Sequence, residues 1–138
     1  MRTFKTTGKL FRILLLTLTM SVWTACDPGW EDEVSFTPDD LVGLWRCTNV
    51  PGNELWLYRA DGTGCTWNTA DDVTQEEAQE FTWTLKVSTL TQLHQMEISG
   101  LEIPKVYTVT ELDQYHMVYK DSYDIFYSFG RLTQQDGE

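Results

Sequence analysis

The sequence predicts an all-β domain: a small antiparallel up-and-down barrel of about eight strands, preceded by a signal peptide. Three observations carry this. Short runs rich in aromatic, aliphatic and threonine residues recur from residue 43 to residue 131, with spacings of roughly eight to twelve residues. Turn-forming clusters separate them, among them Val50-Pro51-Gly52-Asn53 and Asp61-Gly62-Thr63-Gly64. After residue 26 no segment carries a long helical period.

In chain order, Thr37 and Asp39 can cap a single helical turn with Pro38 at its first position. Gly43 to Thr48 is the first strand and Glu54 to Arg59 the second. Asp61-Gly62 between two β-rich runs is a strong hairpin signal, and Cys65-Thr66-Trp67 forms the returning strand. The stretch from Asn68 to Glu80 contains Asp71, Asp72, Glu76, Glu77 and Glu80. It reads as a long solvated loop with one helical turn near Val73 to Ala78. Phe81 to Leu85 alternates large apolar residues with threonine, the period-2 pattern of a half-buried strand. Further strands are expected at Leu93 to Ile98, Lys105 to Val109, Tyr115 to Tyr119 and Tyr123 to Arg131. In the last of these, Tyr123, Ile125, Tyr127 and Phe129 share one face.

The N-terminal segment is an address. Arg2, Lys5, Lys9 and Arg12 precede a mostly apolar run from Ile13 to Val22, and Thr24 and Ala25 close it. This is the three-part pattern of a secretory signal peptide over residues 1–25. The run is shorter than the ~20 residues of a membrane span. Val22-Trp23-Thr24-Ala25-Cys26 resembles a bacterial lipobox, with Trp23 departing from the usual small aliphatic residue. That resemblance implies a lipidated Cys26, bearing palmitate-like chains, as the mature N-terminus. Several acyl chains would anchor the protein stably, at ~0.8 kcal/mol per buried methylene. Residues 26–38 form the tether. Its run Asp27-Pro28-Gly29-Trp30-Glu31-Asp32-Glu33 resembles the acidic signal that sends some Gram-negative lipoproteins to the outer face of the outer membrane. The expected location is therefore the outer membrane, with the cell surface favoured over the periplasmic face.

Charge sets the next limit. The whole chain carries −11, but no acid precedes residue 26, so removing the leader leaves 21 acids against six bases, a net of −15. A domain that acidic repels phosphate backbones, which excludes nucleic acid as the expected partner. The excess is read first as a solubility device, and no protein partner is identified.

Residues 39–132 are similar to the small lipocalin-like domains of bacterial lipoproteins, with 133–138 left as a tail. The likeness rests on Leu41-x-Gly43-x-Trp45, on the Asp61-Gly62-Thr63-Gly64 hairpin and on Phe129-Gly130-Arg131. In that family the glycine lets the first strand cross the barrel floor, and the tryptophan packs under a closing-strand arginine. The resemblance therefore implies a barrel-closing motif of Gly43, Trp45 and Arg131. It also implies that Trp56, Tyr58, Trp67, Phe81, Trp83, Tyr119 and Tyr127 point inward, as core or as the lining of a ligand pocket. Eight strands closed on themselves remove sheet edges and can hold one small ligand.

No nucleophile–base pair stands out, so the chain is not expected to be an enzyme and no cofactor is implied. His94 and His116 lack the spacing of a metal motif and are read as surface or rim residues. The acids of 71–80 lack the alternation and glycine of a calcium loop, and no metal site is assigned. Cys47 and Cys65 fall on the first and third strands. Two strand steps of ~4.8 Å separate them by about 9.6 Å, beyond the ~7 Å that a disulfide spans, so a bridge between them requires a bulge or an altered strand order. The expected function is thus a membrane-anchored lipoprotein whose barrel binds a small apolar or amphipathic molecule. The alternative is a filled barrel that contacts a protein or envelope partner.

Overall fold

The computed structural model describes residues 33–133; the leader, Cys26, most of the tether and the tail from residue 134 lie outside the described residues. Pro38–Leu41 forms one helical turn (α1), with Pro38 at its start where a missing N–H costs nothing. Eight strands follow: β1 (Gly43–Cys47), β2 (Glu54–Tyr58), β3 (Thr63–Asn68), β4 (Gln79–Lys86), β5 (Thr89–Gln95), β6 (Glu102–Leu112), β7 (His116–Lys120) and β8 (Phe126–Leu132). Each pairs antiparallel with the next, and β8 pairs with β1, so the meander closes into the expected barrel.

The turns explain why the strands begin and end where they do. Asp61 Oδ1 accepts from the Thr63 backbone N–H at 3.0 Å and from its hydroxyl at 2.6 Å, fixing the β2–β3 hairpin. The acid-rich segment holds two 3-10 turns rather than one, at Thr69–Asp71 and Gln75–Glu77, and β4 already starts at Gln79. Asn68 Oδ1 starts the first of these by accepting from the Ala70 N–H at 2.9 Å. Between β4 and β5 only Val87 and Ser88 intervene, and Lys86 pairs directly with Thr89. β5 therefore begins well before the expected Leu93 and ends before Met96.

β8 corrects the clearest alternation in the sequence. Tyr123 and Ile125 do not join it, because Asp121 Oδ1 accepts from both of their N–H groups, at 2.8 and 3.0 Å, and curls them into a turn. Asp124 takes a left-handed φ of 60° in the same turn. Local side-chain-to-backbone bonding of this kind competes directly with a sheet ladder.

The inner wall is formed by Trp45, Cys47, Trp56, Tyr58, Phe81, Trp83, Leu85, Leu90, Val109, Met117, Tyr119 and Phe129, all buried in one cluster with Leu41. The outer wall of β4 carries Glu80, Thr82, Thr84 and Lys86, all exposed. At one end, the floor, α1 places Leu41 under the barrel and Phe36 N–H donates to the Val87 carbonyl at 2.8 Å. The other end carries the loops 48–53, 69–78, 96–101 and 121–125.

Candidate functional site

Gly43, Trp45 and Arg131 meet at the floor. The Arg131 guanidinium carbon stands 4.2 Å from the Trp45 ring centroid. Its three nitrogens donate to the carbonyls of Gln114, Val42 and Asp40 at 2.8, 2.6 and 2.6 Å. A planar five-donor fork suits this task as an ammonium does not. Burial lowers the Arg131 pKa, against the opposing pull of Asp40 and Asp113. Trp45 Nε1 donates to the Leu41 carbonyl at 2.8 Å, tying α1 to β1. Gly43 has φ +142°, and a Cβ there would run into the Arg131 guanidinium, so sterics and backbone both demand glycine.

Above the floor, aromatic rings fill the inside. Tyr58 meets Phe81 at 5.5 Å and Trp83 at 5.6 Å, both edge-on. Tyr119 lies 4.9 Å from Phe129 and 4.4 Å from Tyr107. Tyr127, half-buried, contacts Tyr119 at 5.6 Å. Gly64 faces inward beside them, and a Cβ there would come within 2.6 Å of the Phe81 ring. Such edge-on and tilted pairs add ~0.5–1.5 kcal/mol each beyond area burial. Burial raises the phenol pKa of Tyr58 and Tyr119 far above normal, and that of Tyr107 to about 12, so all three stay neutral.

Of the residues expected inside, Trp67 is the exception. It pairs with Leu55, whereas Trp56 pairs with Thr66, so the register turns Trp67 to the outer wall. Cys65 shares that outer face, with Arg59 Nη2 at 3.5 Å from its sulfur. Cys47 faces the interior, so the two thiols point to opposite faces, and both are free. Burial raises the pKa of each.

The main correction concerns His94. It is 2 % exposed and Gln92 is 0 % exposed, and both face inward. The register fixed by the Val87-Ser88 turn sets Gln92 opposite Trp83 and His94 opposite Phe81. Counting back from that turn could have placed both residues inside. Gln92 Nε2 donates to Tyr58 Oη at 2.7 Å, and Gln92 Oε1 bonds His94 Nε2 at 2.9 Å. Phe81 stacks on the imidazole at 5.1 Å, and Trp56 meets it edge-on at 6.1 Å. Burial, aided by the Lys105 charge, pulls the His94 pKa down to about 4. His116 is exposed, as a surface residue should be.

The two ends of the barrel differ. The inner-face partners of Gln92 and His94 on β6 are Lys105 and Ile103, and both are exposed. Tyr107 and Tyr127 line the same end half-buried. The hairpins around it expose Met96, Ile98 and Leu101 on one side and Tyr123, Ile125 and Phe126 on the other. A hollow of about 440 Å³ opens beside it, lined by residues of β4 and the β5–β6 hairpin, including Gln79, Gln95 and Met96. This end is the mouth. Among the described residues no group of three His, Cys, Asp or Glu is placed to hold a metal ion. Compared with family models, curated proteins and solved structures, the chain matches none.

Proposed function

We propose that this chain is a lipid-anchored outer-membrane protein, held through Cys26, whose lipocalin-like barrel takes up a small amphipathic molecule through the mouth. The observation that carries this reading is the asymmetry of the two ends. The floor is sealed by Leu41, Trp45 and the Arg131 fork. The mouth leads from exposed Ile103 and half-buried Tyr107 and Tyr127 into a wall of aromatic rings. Concave, mostly aromatic linings with a few convergent polar groups are what small-ligand sites use.

Native mass spectrometry tests the reading. The full chain carrying Cys26→Ser, secreted from its own host without detergent, is expected to carry extra mass that is lost on denaturation. A bare mass in repeated preparations favours the second reading, a filled barrel acting through its acidic exterior. One observation supports that alternative: Trp56, Tyr58, Phe81, Trp83, Tyr119 and Phe129 are all at most 8 % exposed. The anchor is tested separately. Cys26→Ala should abolish acyl labelling and release the protein from membranes, and labelling that survives the substitution rejects the lipid assignment.

A further inference from the structure

Inside the barrel two nitrogens have no partner among the described residues: Trp56 Nε1 and His94 Nδ1. Their side chains belong to residues 8 % and 2 % exposed, and the rings lie 6.1 Å apart with planes at 79°. The two other inward tryptophans do not share this condition. Trp45 Nε1 donates to the Leu41 carbonyl and Trp83 Nε1 to the Thr63 carbonyl, at 2.8 and 2.9 Å. Leaving a buried donor or acceptor unmade carries a penalty, whereas interiors otherwise satisfy such groups.

The hydrogen-bond chain decides what each nitrogen offers. Gln92 Nε2 donates to Tyr58 Oη, so Gln92 Oε1 faces His94 Nε2. A carbonyl oxygen only accepts, so Nε2 must carry the imidazole proton. A neutral imidazole has one N–H, which leaves Nδ1 as a bare acceptor. Trp56 Nε1 is a donor only. The pair therefore presents one donor and one acceptor on a wall otherwise made by Phe81 and Phe129.

We propose that Trp56 Nε1 and His94 Nδ1 form a hydroxyl-binding site, in which one ligand oxygen accepts from the indole N–H and donates its hydrogen to the imidazole. The inference rests on the barrel-binding reading and names the ligand class: an alcohol with an apolar body. Carboxylates, ketones and ethers only accept, and so leave Nδ1 unmet. An ammonium only donates, and so leaves the indole unmet. A hydroxyl does both with one atom. Ile103, directly opposite His94 on β6 and 43 % exposed, continues the inner wall from this site to the mouth, where the apolar body lies.

The test uses a matched pair of probes, 1-decanol and decyl methyl ether, with the full chain carrying Cys26→Ser. Losing the donated hydrogen strands a buried acceptor, so the alcohol should bind roughly ten- to a hundredfold more tightly than the ether. In ¹⁵N NMR the alcohol should shift the Trp56 indole and His94 Nδ1 resonances together, and Trp56→Phe and His94→Phe should each erase the preference. Equal affinity for the two probes overturns the hydroxyl site while leaving the barrel-binding reading intact. Failure of both probes to bind overturns the two together. A measurement on the chain with both side chains intact guards against variants that misfold: a His94 proton found on Nδ1 rather than Nε2 overturns the site by itself.

Discussion

Replacing Arg131 by methionine should unpick the floor of the barrel while keeping most of the apolar stem. The guanidinium makes three charge-assisted bonds to carbonyls and sits 4.2 Å from the Trp45 centroid. The contact with the ring is worth ~1 to 2 kcal/mol in a shielded setting. The Val42 carbonyl, partly buried, loses a charged partner at a further ~1.5 kcal/mol. The Asp40 and Gln114 carbonyls accept from the arginine at exposed positions, where water replaces it, so they add little. The loss is about 3 kcal/mol, and at ~4–8 °C per kcal/mol for a domain near 100 residues the midpoint falls by about 12 to 24 °C. Arg131→Lys keeps a cation over the indole but cannot reach three carbonyls at once, so it should recover about half of the loss. Urea unfolding followed by tryptophan fluorescence measures both variants. A methionine variant within about 1 kcal/mol of the parent would show that closure between β1 and β8 does not depend on this residue.

Two further perturbations probe the interior. His94 has a folded pKa near 4 against an ordinary 6.5, so between those values the unfolded chain binds the extra proton. Its neutral burial therefore stabilises the fold in full above pH 6.5, and that contribution, roughly 3 kcal/mol, is lost as the pH falls toward 4. The stability difference between the parent and His94→Gln, measured at pH 7.5 and again at 4.5, should shrink by most of this amount; a difference that holds constant would contradict a buried neutral imidazole. Gly64→Ala should destabilise by about 1 to 3 kcal/mol, because the new methyl meets the Phe81 ring at 2.6 Å and the Leu57 carbonyl beside it. A double variant that also trims Phe81 to leucine should recover part of the loss by opening that space, and a single variant as stable as the parent would refute the contact.

Strand alternation and turn chemistry made the architecture legible before any coordinates. Phe81, Trp83 and Leu85 alternate with threonines, and Asp61-Gly62 closes a hairpin, because side chains of a strand point to opposite faces and few residues tolerate a tight turn. Alternation misled where local polar bonding won. Tyr123 and Ile125 carry the rhythm of β8 but are held in a turn by Asp121. The family resemblance sets Trp67 inside, and the register sets it on the outer wall. His94 looks like a surface residue by chemistry and sits inside, stacked on Phe81.

The class of the fold and the order of the strands follow from local periodicity and turn chemistry, whereas the closing set of Gly43, Trp45 and Arg131 joins residues far apart in the chain and was expected only through the family resemblance. Which polar groups share the barrel interior is set by how the strands pair and close. The site brings together Trp56 and Tyr58 from β2 with Gln92 and His94 from β5. Their meeting depends on hairpin register and barrel closure, where a slip of one residue would exchange inside for outside. Periodicity shows that a strand has two faces; the closed ladder of hydrogen bonds chooses which face meets the core.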